Sequence, residues 1–413
     1  MSSQDIANTR AGAVLQPLMD HALANARPGN RWPRLRLGSA LMRNSQKVAT
    51  ALFARAGVTF NGTNTWDITV HNDRLYSRIL SHGSLGLGEA YMDGDWDCPA
   101  LDELFDRLVR SRISDELGLT LPVALMVASE RLLNRQSVAR ASKCADVYYN
   151  LPAEVFEATF DKRVAGSCGY WKSAATLDDA QDAKLDLICK KIGLRKGESV
   201  LDIGCGWGSF VGFAAERYGA VCHGVTVSEV QVEYIKNRYA HAPINPMLDD
   251  YRNYRGPKVD HVVSVEMFEQ VGARNHRTYF ERVRSYMKDD GLFLLHTNWE
   301  NERYPVIEPW QDKYFFPNAD LPTIGEIATA AEGLFVIEDV HNLGVDYDKT
   351  LMAWNTKFQG NRAEIERKYG TRFCRMWEYF LLETAGAFRC RHIGVGQIVL
   401  SPNGVNGGYE SIR

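Results

Sequence analysis

A glycine-rich turn between a predicted strand and a predicted helix limits the folds open to this 413-residue chain. Residues 200–203 (VLDI) are apolar enough for a buried strand, and Gly204, Gly206 and Gly208 follow at every second position. Glycines in such a turn let the backbone approach a ligand at the carboxyl end of the strand, where the next helix begins. The spacing is neither that of a dinucleotide turn nor that of a phosphate loop. We therefore predict a cofactor loop of another kind.

Short β-branched runs alternate with helical stretches from Leu185 onward. This alternation predicts a doubly wound α/β domain, with parallel strands joined by crossover helices. The predicted strands are 199–203, 221–225, 259–265, 292–297, 335–341 and 397–401, with a further short strand before Asp249 that brings the sheet to seven. The predicted helices are 210–217, 229–240, 274–287 and 324–331.

Changes in composition divide the chain into four regions. We predict a weakly ordered basic arm over residues 1–45, a small and mostly helical domain over 46–133, a polar linker over 134–147 and the α/β domain over 148–413. Within the small domain the pattern predicts helices at 49–56, 101–109 and 121–133 and a strand at 66–70.

Charge and cysteine usage restrict the binding partners and the cellular compartment that we expect for the protein. Residues 1–55 carry eight Lys/Arg and two Asp, a net charge of +6, whereas the other 40 basic and 49 acidic residues leave −9. A basic arm of this kind suits anionic lipid head groups or nucleic acid, and a solvated terminus is the plainer alternative. No apolar run is long enough for a membrane-spanning helix. The eight cysteines contain no CxxC pair, so we expect no metal site, no disulfides and a cytoplasmic location.

The glycine turn resembles the S-adenosylmethionine loop of class I methyltransferases. That resemblance implies that Asp202 and the glycine backbone face the amino-acid portion of the cofactor. The second strand lacks the usual acidic residue for ribose hydroxyls and offers the neutral groups Thr226 and Gln231 instead. Asp250 and Tyr251, after the third strand, suit the adenine amino group and ring face, although Asp250 is equally well explained as an ordinary turn acid.

Seven segments, in order, resemble bacterial cyclopropane fatty acid synthases and the related mycolic acid cyclopropane synthases. They are residues 83–94, 167–171, 202–208, 267–272, 294–297, 314–318 and 346–354. The resemblance implies transfer of a methylene group from S-adenosylmethionine to the cis double bond of an unsaturated phospholipid acyl chain. It also implies a lipid-binding N-terminal domain, a homodimer and attachment to the inner face of the membrane. The implied cofactor-binding residues are Tyr149, Ser167, Asp202, Gly204, Gly206, Thr226, Gln231, Asp250 and Tyr251.

The reaction requires a methyl donor held in line with the double bond, a dry pocket for a carbocation and a base. The resemblance implies that the base is a bicarbonate ion held by Cys168, Glu269, His296 and Tyr347. A hydroxyl and an imidazole can donate hydrogen bonds to a small anion, and a carboxylate can accept one from it. Aromatic side chains that could form the pocket walls are Tyr149, Tyr170, Trp171, Phe268, Trp310, Tyr314, Tyr347 and Trp354.

The sequence departs from the lipid enzymes at three places, so the product is less constrained than the cofactor. Gln270 stands where the family usually has histidine, Asn298-Trp299 replace an apolar residue and glycine, and residues 148–153 differ from the usual segment. Two alternatives stay open: a C-methyltransferase that gives a methyl-branched product or acts on a soluble alkene, and an inactive lipid-binding homologue. The net charge of −9 outside the basic arm and the lack of a nucleic-acid-binding module disfavour a nucleic-acid methyltransferase, so we expect no nucleic-acid partner.

Overall fold

Seven strands form one mixed sheet in the computed structural model, which describes residues 39–113, 136, 150–304 and 307–413. The strands are β3 (Ser199–Ile203), β4 (Val221–Thr226), β5 (Ile244–Leu248), β6 (His261–Val265), β7 (Phe293–Glu300), β8 (Val336–Asn342) and β9 (Ile393–Ser401). Their order across the sheet is β5-β4-β3-β6-β7-β9-β8. Strands β3 to β7 are parallel, and β9 lies antiparallel between β7 and β8. The all-parallel prediction was therefore wrong for the last strand.

Alternate residues of β3 face opposite sides of the sheet, as the two-residue period of a strand requires. Leu201 and Ile203 belong to a buried cluster with α8 (His276–Tyr286) and α10 (Ile324–Ala331). Val200 belongs to a second cluster on the other face, with α5 (Leu177–Lys191), α6 (Ser209–Phe213) and α7 (Glu229–Arg238). Helices thus cover both faces, which confirms the doubly wound prediction.

The N-terminal part of the described chain is mostly helical. It contains α1 (Ser39–Ala54), α2 (Arg74–Met92) and α3 (Leu101–Arg110), together with a short hairpin of β1 (Thr69–Val70) and β2 (Trp96–Asp97). The predicted strand at 66–70 is reduced to two residues, and α1 begins within the segment predicted as a weakly ordered arm. Residues 1–38, the predicted helix at 121–133 and all of the predicted linker except Gln136 lie outside the described residues.

Two long helices near the C-terminus connect this N-terminal part to the sheet. They are α11 (Gly344–Tyr369) and α12 (Thr371–Arg389), and the sequence analysis predicted neither. Arg389 of α12 binds Asp102 of α3 at 2.6 Å and Asp348 of α11 at 2.9 Å. One hydrophobic cluster runs from α2 and α3 into α11 and α12. The domain boundaries at 45/46, 133/134 and 147/148 stay predictions.

Three shorter helices complete the described chain near the cavity: α4 (Ala153–Glu157), α6 and α9 (Pro309–Tyr314). The predicted helix at 210–217 divides in two, because α6 ends at Phe213 and residues Ala214–Tyr218 form a π-helical turn. None of the helices among the described residues is both long and apolar enough to cross a bilayer.

Candidate active site

One cavity of about 280 Å³ lies where β3, β4 and β6 end. Strand order reverses between β3 and β6, and ligands of open α/β sheets bind at such a switch point. Eight of the nine predicted cofactor residues line this cavity: Ser167, Asp202, Gly204, Gly206, Thr226, Gln231, Asp250 and Tyr251. The ninth, Tyr149, lies outside the described residues. The predicted catalytic residues Glu269 and Tyr347 also line the cavity.

The glycine turn after β3 is fixed to β4 and open toward the cavity. The backbone N–H groups of Gly204 and Cys205 both donate to the carbonyl of Val225, at 2.9 and 3.0 Å. Gly206 has φ +52°, and a Cβ atom added there would meet nothing within 4 Å. A larger side chain at Gly206 would therefore enter the space available to a ligand.

A buried acid at the end of β3 matches the charge of the expected cofactor. Asp202 is buried, and its Oδ1 atom has no hydrogen-bond partner among the described residues. Burial raises the pKa of Asp202 to about 7, against the opposing charge of Lys184. S-adenosylmethionine carries an ammonium group that this carboxylate could bind. The unpartnered acid, the open turn and the lining residues thus fit the cofactor.

The sequence analysis missed Lys184, which lies on the unpredicted helix α5. Its side chain is fully buried and donates to Ser167 Oγ at 2.6 Å. Burial lowers the pKa of Lys184, and nearby acids, first among them Glu266, oppose that shift. A lysine on the buried face of a helix indicates a functional or paired charge, because lysine is rarely buried. This signal could be used only after the helix itself had been predicted.

The predicted ribose and adenine groups are already hydrogen-bonded. Thr226 Oγ1 donates to Gln231 Oε1 at 2.6 Å. Both oxygens of Asp250 accept from Arg252, at 2.7 Å each. Tyr251 keeps a buried hydroxyl without a partner among the described residues. The roles of these residues toward a cofactor stay predictions.

The carboxylate that meets the predicted anion-binding residues is Glu266, which the sequence analysis missed. Its Oε1 accepts from the backbone N–H of Cys168 at 2.8 Å and lies 3.2 Å from His296 Nε2. The hydroxyl of Tyr347 donates to Glu266 Oε2 at 2.5 Å. Three of the four residues predicted to hold an anion thus surround a carboxylate supplied by the chain. A signal existed, because Glu266 directly follows the predicted strand 259–265.

Hydrogen bonding indicates the protonation state of this cluster. Gln397 of β9 places its Nε2 atom 3.4 Å from His296 Nδ1, which as an acceptor leaves the ring proton on Nε2; that atom lies 3.2 Å from Glu266 Oε1 but outside hydrogen-bond geometry. Burial lowers the pKa of His296, so the ring is neutral. Burial also opposes ionisation of Glu266, but His296, Tyr347 and the Cys168 N–H offset it and hold the pKa of Glu266 below its ordinary value. Glu266 is therefore a carboxylate bound by neutral donors.

Glu269 lies in the 3₁₀ turn Phe268–Gln270 and binds a different partner. Its Oε1 accepts from the backbone N–H of Asn298 at 2.6 Å and from the Asn298 side chain at 2.9 Å. Its Oε2 is buried without a partner among the described residues. Burial, then the charge of Glu266, raises the pKa of Glu269 to about 7. The catalytic role predicted for Glu269 stays a prediction.

The residues present do not fit a bicarbonate ion. The Cys168 N–H, His296 and the Tyr347 hydroxyl are the donors such an anion would use, and the Glu266 carboxylate already contacts all three. A second anion would also lie against the Glu266 charge in a buried site, which is strongly unfavourable. The expected bicarbonate therefore has no place in this arrangement.

Apolar side chains form the rest of the cavity, and they differ from most of those predicted. Of the eight predicted wall residues, Tyr347 and Trp354 line the cavity and Tyr149 lies outside the described residues. The other five, Tyr170, Trp171, Phe268, Trp310 and Tyr314, are not among the lining residues of the described chain. The aromatic and aliphatic walls are formed by Phe156, Phe160, Phe316, Leu351, Phe380 and Phe388.

A comparison with protein families matches residues 136–398 to the model of mycolic acid cyclopropane synthetase. The chain is 42% identical over 370 residues to the cyclopropane-fatty-acyl-phospholipid synthase of Escherichia coli K12, which covers 90% of this chain and 96% of that one. It is 35% identical over 256 residues to sphingolipid C9-methyltransferase 2 of Gibberella zeae, covering 56% of this chain and 48% of that one.

Among solved structures, the chain is similar to the mycolic acid cyclopropane synthase CmaA1 complexed with SAH and CTAB. The TM-score is 0.58 at 27% identity, over 62% of this chain and 97% of that one.

Proposed function

Because the chain belongs to the mycolic acid cyclopropane synthetase family, we propose that it converts the cis double bonds of unsaturated phospholipid acyl chains into cyclopropane rings. The enzyme is an S-adenosylmethionine-dependent methyltransferase of the cyclopropane-fatty-acyl-phospholipid synthase type. The observation that carries the proposal is the single cavity that joins the glycine turn, the Glu266 cluster and the aromatic walls.

One end of the cavity suits the cofactor. Asp202 and the turn at Gly204 and Gly206 would hold the amino-acid portion, and Tyr251, which also lines the cavity, would contact the adenine. When bound, S-adenosylmethionine supplies an electrophilic methyl group. Lys184 keeps the pKa of Asp202 lower than burial alone would make it, which favours the ionised form that binds a cation.

The other end of the cavity suits an acyl chain and a cationic intermediate. Phe160 packs against Trp354 with ring centroids 4.5 Å apart and ring planes tilted by 42°, and Tyr347 meets Trp354 edge-on at 6.0 Å. In the proposed reaction these rings would exclude water, which traps a carbocation, and their faces would stabilise positive charge. A dry aromatic wall beside a carboxylate is thus suited to forming a cation and then removing a proton from it.

The proposal places the enzyme at a phospholipid surface. The N-terminal domain would contact lipid, and the basic residues near the N-terminus would add about 1 kcal/mol for each well-placed Lys or Arg at an anionic surface. Attachment to the inner face of the membrane and assembly as a homodimer are parts of this proposal that rest on the family resemblance.

The test is to incubate the enzyme with labelled S-adenosylmethionine and vesicles of an unsaturated phosphatidylglycerol, with vesicles of the saturated lipid as the control. We expect label only in the unsaturated lipid, a mass gain of one methylene, loss of the alkene signal and cyclopropane ring protons by NMR. Equal labelling of the saturated vesicles, or no transfer despite cofactor binding by calorimetry, would reject the proposal.

A methyl-branched product is a second candidate, favoured by the sphingolipid C9-methyltransferase relative and by Asn298 in the cavity wall. The same cation could lose a different proton and keep an alkene with an added methyl group. The mass gain is then identical, but NMR shows a methyl branch and no ring protons. A soluble alkene as substrate would be indicated by transfer to free alkenes and none to vesicles. An inactive homologue would transfer to neither.

A further inference from the structure

We infer that the Glu266 carboxylate removes the proton that closes the ring and that it replaces bicarbonate as the anion of the site. This inference deepens the proposed function and rests on it. It is carried by the position of Glu266, which lines the cavity and contacts Cys168, His296 and Tyr347.

The backbone conformation at Glu266 indicates that its side chain has a functional role. Glu266 has φ +50°, the left-handed region that favours glycine and that costs other residues about 1–2 kcal/mol. Its backbone N–H is fixed to the carbonyl of His296 at 2.7 Å. The chain thus holds a glutamate where glycine would be relaxed, and the strained conformation directs the carboxylate to the three donors. Strain of this kind is concentrated at functional sites.

Each bond change in the proposed step is balanced. One alkene carbon binds the methyl group as the carbon–sulfur bond breaks, which leaves a neutral thioether and a positive charge on the other alkene carbon. Glu266 accepts a proton from the new methyl group, and the electron pair of that C–H bond closes the ring onto the cationic carbon. The proton leaves later from the Glu266 carboxylic acid to solvent. Protons next to a carbocation are lost to weak bases, so an ionised, well-bound carboxylate is basic enough.

Glu269 is less suited to this step. Its bonded oxygen accepts from Asn298, and burial, then the Glu266 charge, favours its protonated form, whereas the donors around Glu266 favour the carboxylate. Asn298 Nδ2 also lies 3.5 Å from Glu266 Oε2, so Asn298 links the two acids. Glu269 is accordingly a positioning residue that orients Asn298 toward Glu266.

The test compares the wild type with Glu266→Gly in buffers freed of carbon dioxide and in buffers with added bicarbonate. Glycine relaxes the backbone at this position and leaves the three donors around an empty space. We expect wild-type turnover to be unchanged by bicarbonate. We expect the variant to lose at least about 100-fold in turnover without bicarbonate, and to recover about tenfold or more with it. Bicarbonate dependence of the wild type, or full activity of the variant without bicarbonate, would overturn the inference.

A second measurement separates this inference from the proposed function. Without lipid, bicarbonate should raise the melting temperature of Glu266→Gly and leave that of the wild type unchanged. Arg112→Gly is the matched control, because Arg112 also has a left-handed backbone (φ +54°) but does not line the cavity, and bicarbonate should not affect it. If no lipid product forms with any variant, the proposed function fails, while these melting temperatures still decide which anion the site holds. A bicarbonate effect on the wild type would refute Glu266 as the occupant.

Discussion

Asn298 donates two hydrogen bonds to one oxygen of Glu269, from its backbone N–H at 2.6 Å and from its side chain at 2.9 Å. The other oxygen, Oε2, is buried without a partner among the described residues. Glu269 is therefore held in place by neutral donors on one side, while burial, and then the charge of Glu266, opposes its ionisation.

Glu269→Gln should make the protein more stable at alkaline pH than the wild type. The folded-state pKa of Glu269 is about 7, raised from 4.5, so folding favours its protonated form. This contribution is present at low pH and is lost as the pH rises through about 7, which costs the wild type about 2 kcal/mol between pH 5 and pH 8. Urea unfolding at both pH values should show that loss reduced in the variant.

Glu300→Gln is the matched control for this variant, because burial raises the pKa of Glu300 to about 7 as well and Glu300 does not line the cavity. Both variants should show the altered pH dependence, but only Glu269→Gln should lose turnover. Equal turnover in the two variants would remove Glu269 from the catalytic machinery.

Tyr347→Phe should shift the acid limb of the pH–rate profile to higher pH. The Tyr347 hydroxyl donates to Glu266 at 2.5 Å and helps to hold the pKa of Glu266 low. Without this donor the carboxylate accepts a proton at higher pH, so a base that must be ionised is lost earlier as the pH falls. We expect kcat to fall about 10-fold or more at neutral pH, with KM little changed.

Tyr409→Phe removes a comparable hydrogen bond, from the Tyr409 hydroxyl to the carbonyl of Lys191 at 2.9 Å, away from the cavity. Its pH–rate profile should match that of the wild type. A profile unchanged in Tyr347→Phe would show that this hydroxyl does not tune the base.

Gly206→Val should abolish measurable cofactor binding. The side chain would enter the open space beside the turn, at a position with φ +52°. Gly333→Val is the control, because Gly333 has φ +71°, has nothing within 4 Å of an added Cβ and lies outside the cavity lining. Both variants should lose about 1–2 kcal/mol of stability through backbone strain. Calorimetry should find normal affinity only in Gly333→Val, and normal affinity in Gly206→Val would contradict the cofactor loop.

Lys184→Met should make cofactor affinity more dependent on pH. The charge of Lys184 lowers the pKa of Asp202, which burial raises to about 7. Without Lys184 the acid would be mostly protonated at pH 7, so affinity should fall severalfold there and recover as the pH rises. Lys191→Met, at another fully buried lysine outside the cavity, should leave affinity unchanged at each pH. Identical titrations for the two variants would disprove the link to Asp202.

The sequence predicted the parallel strands well where their residues are buried and β-branched. The bounds of β3 are those predicted, because its run of apolar residues ends at an unmistakable glycine turn. Strand β5 was harder to delimit, since it contains Pro246 and lies half-exposed at the edge of the sheet. The direction of β9 could not be read locally, because it depends on how α11 and α12 return the chain to the sheet.

In the active site, too, local sequence could not predict features that depend on the folded chain. Segments that match a family pattern pointed to Cys168, His296 and Tyr347, and the structure brings all three to one place. Glu266 lies one residue before the matching segment 267–272, and only the folded backbone shows its left-handed conformation and its partners. Sequence patterns therefore identified the three surrounding residues, while the carboxylate that they contact required the three-dimensional structure.

The antiparallel insertion of β9 has a consequence for how the enzyme matures during synthesis on the ribosome. Strands β7 and β8 are translated long before β9, yet each pairs with it and not with the other. Gln397, whose side chain lies 3.4 Å from His296 Nδ1, arrives with this same late segment. A nascent chain that has emerged only through α12 therefore contains Glu266, Tyr347 and His296, but it lacks the side chain that contacts Nδ1 of the imidazole. The docking of β9 therefore completes both the sheet and the contacts around His296.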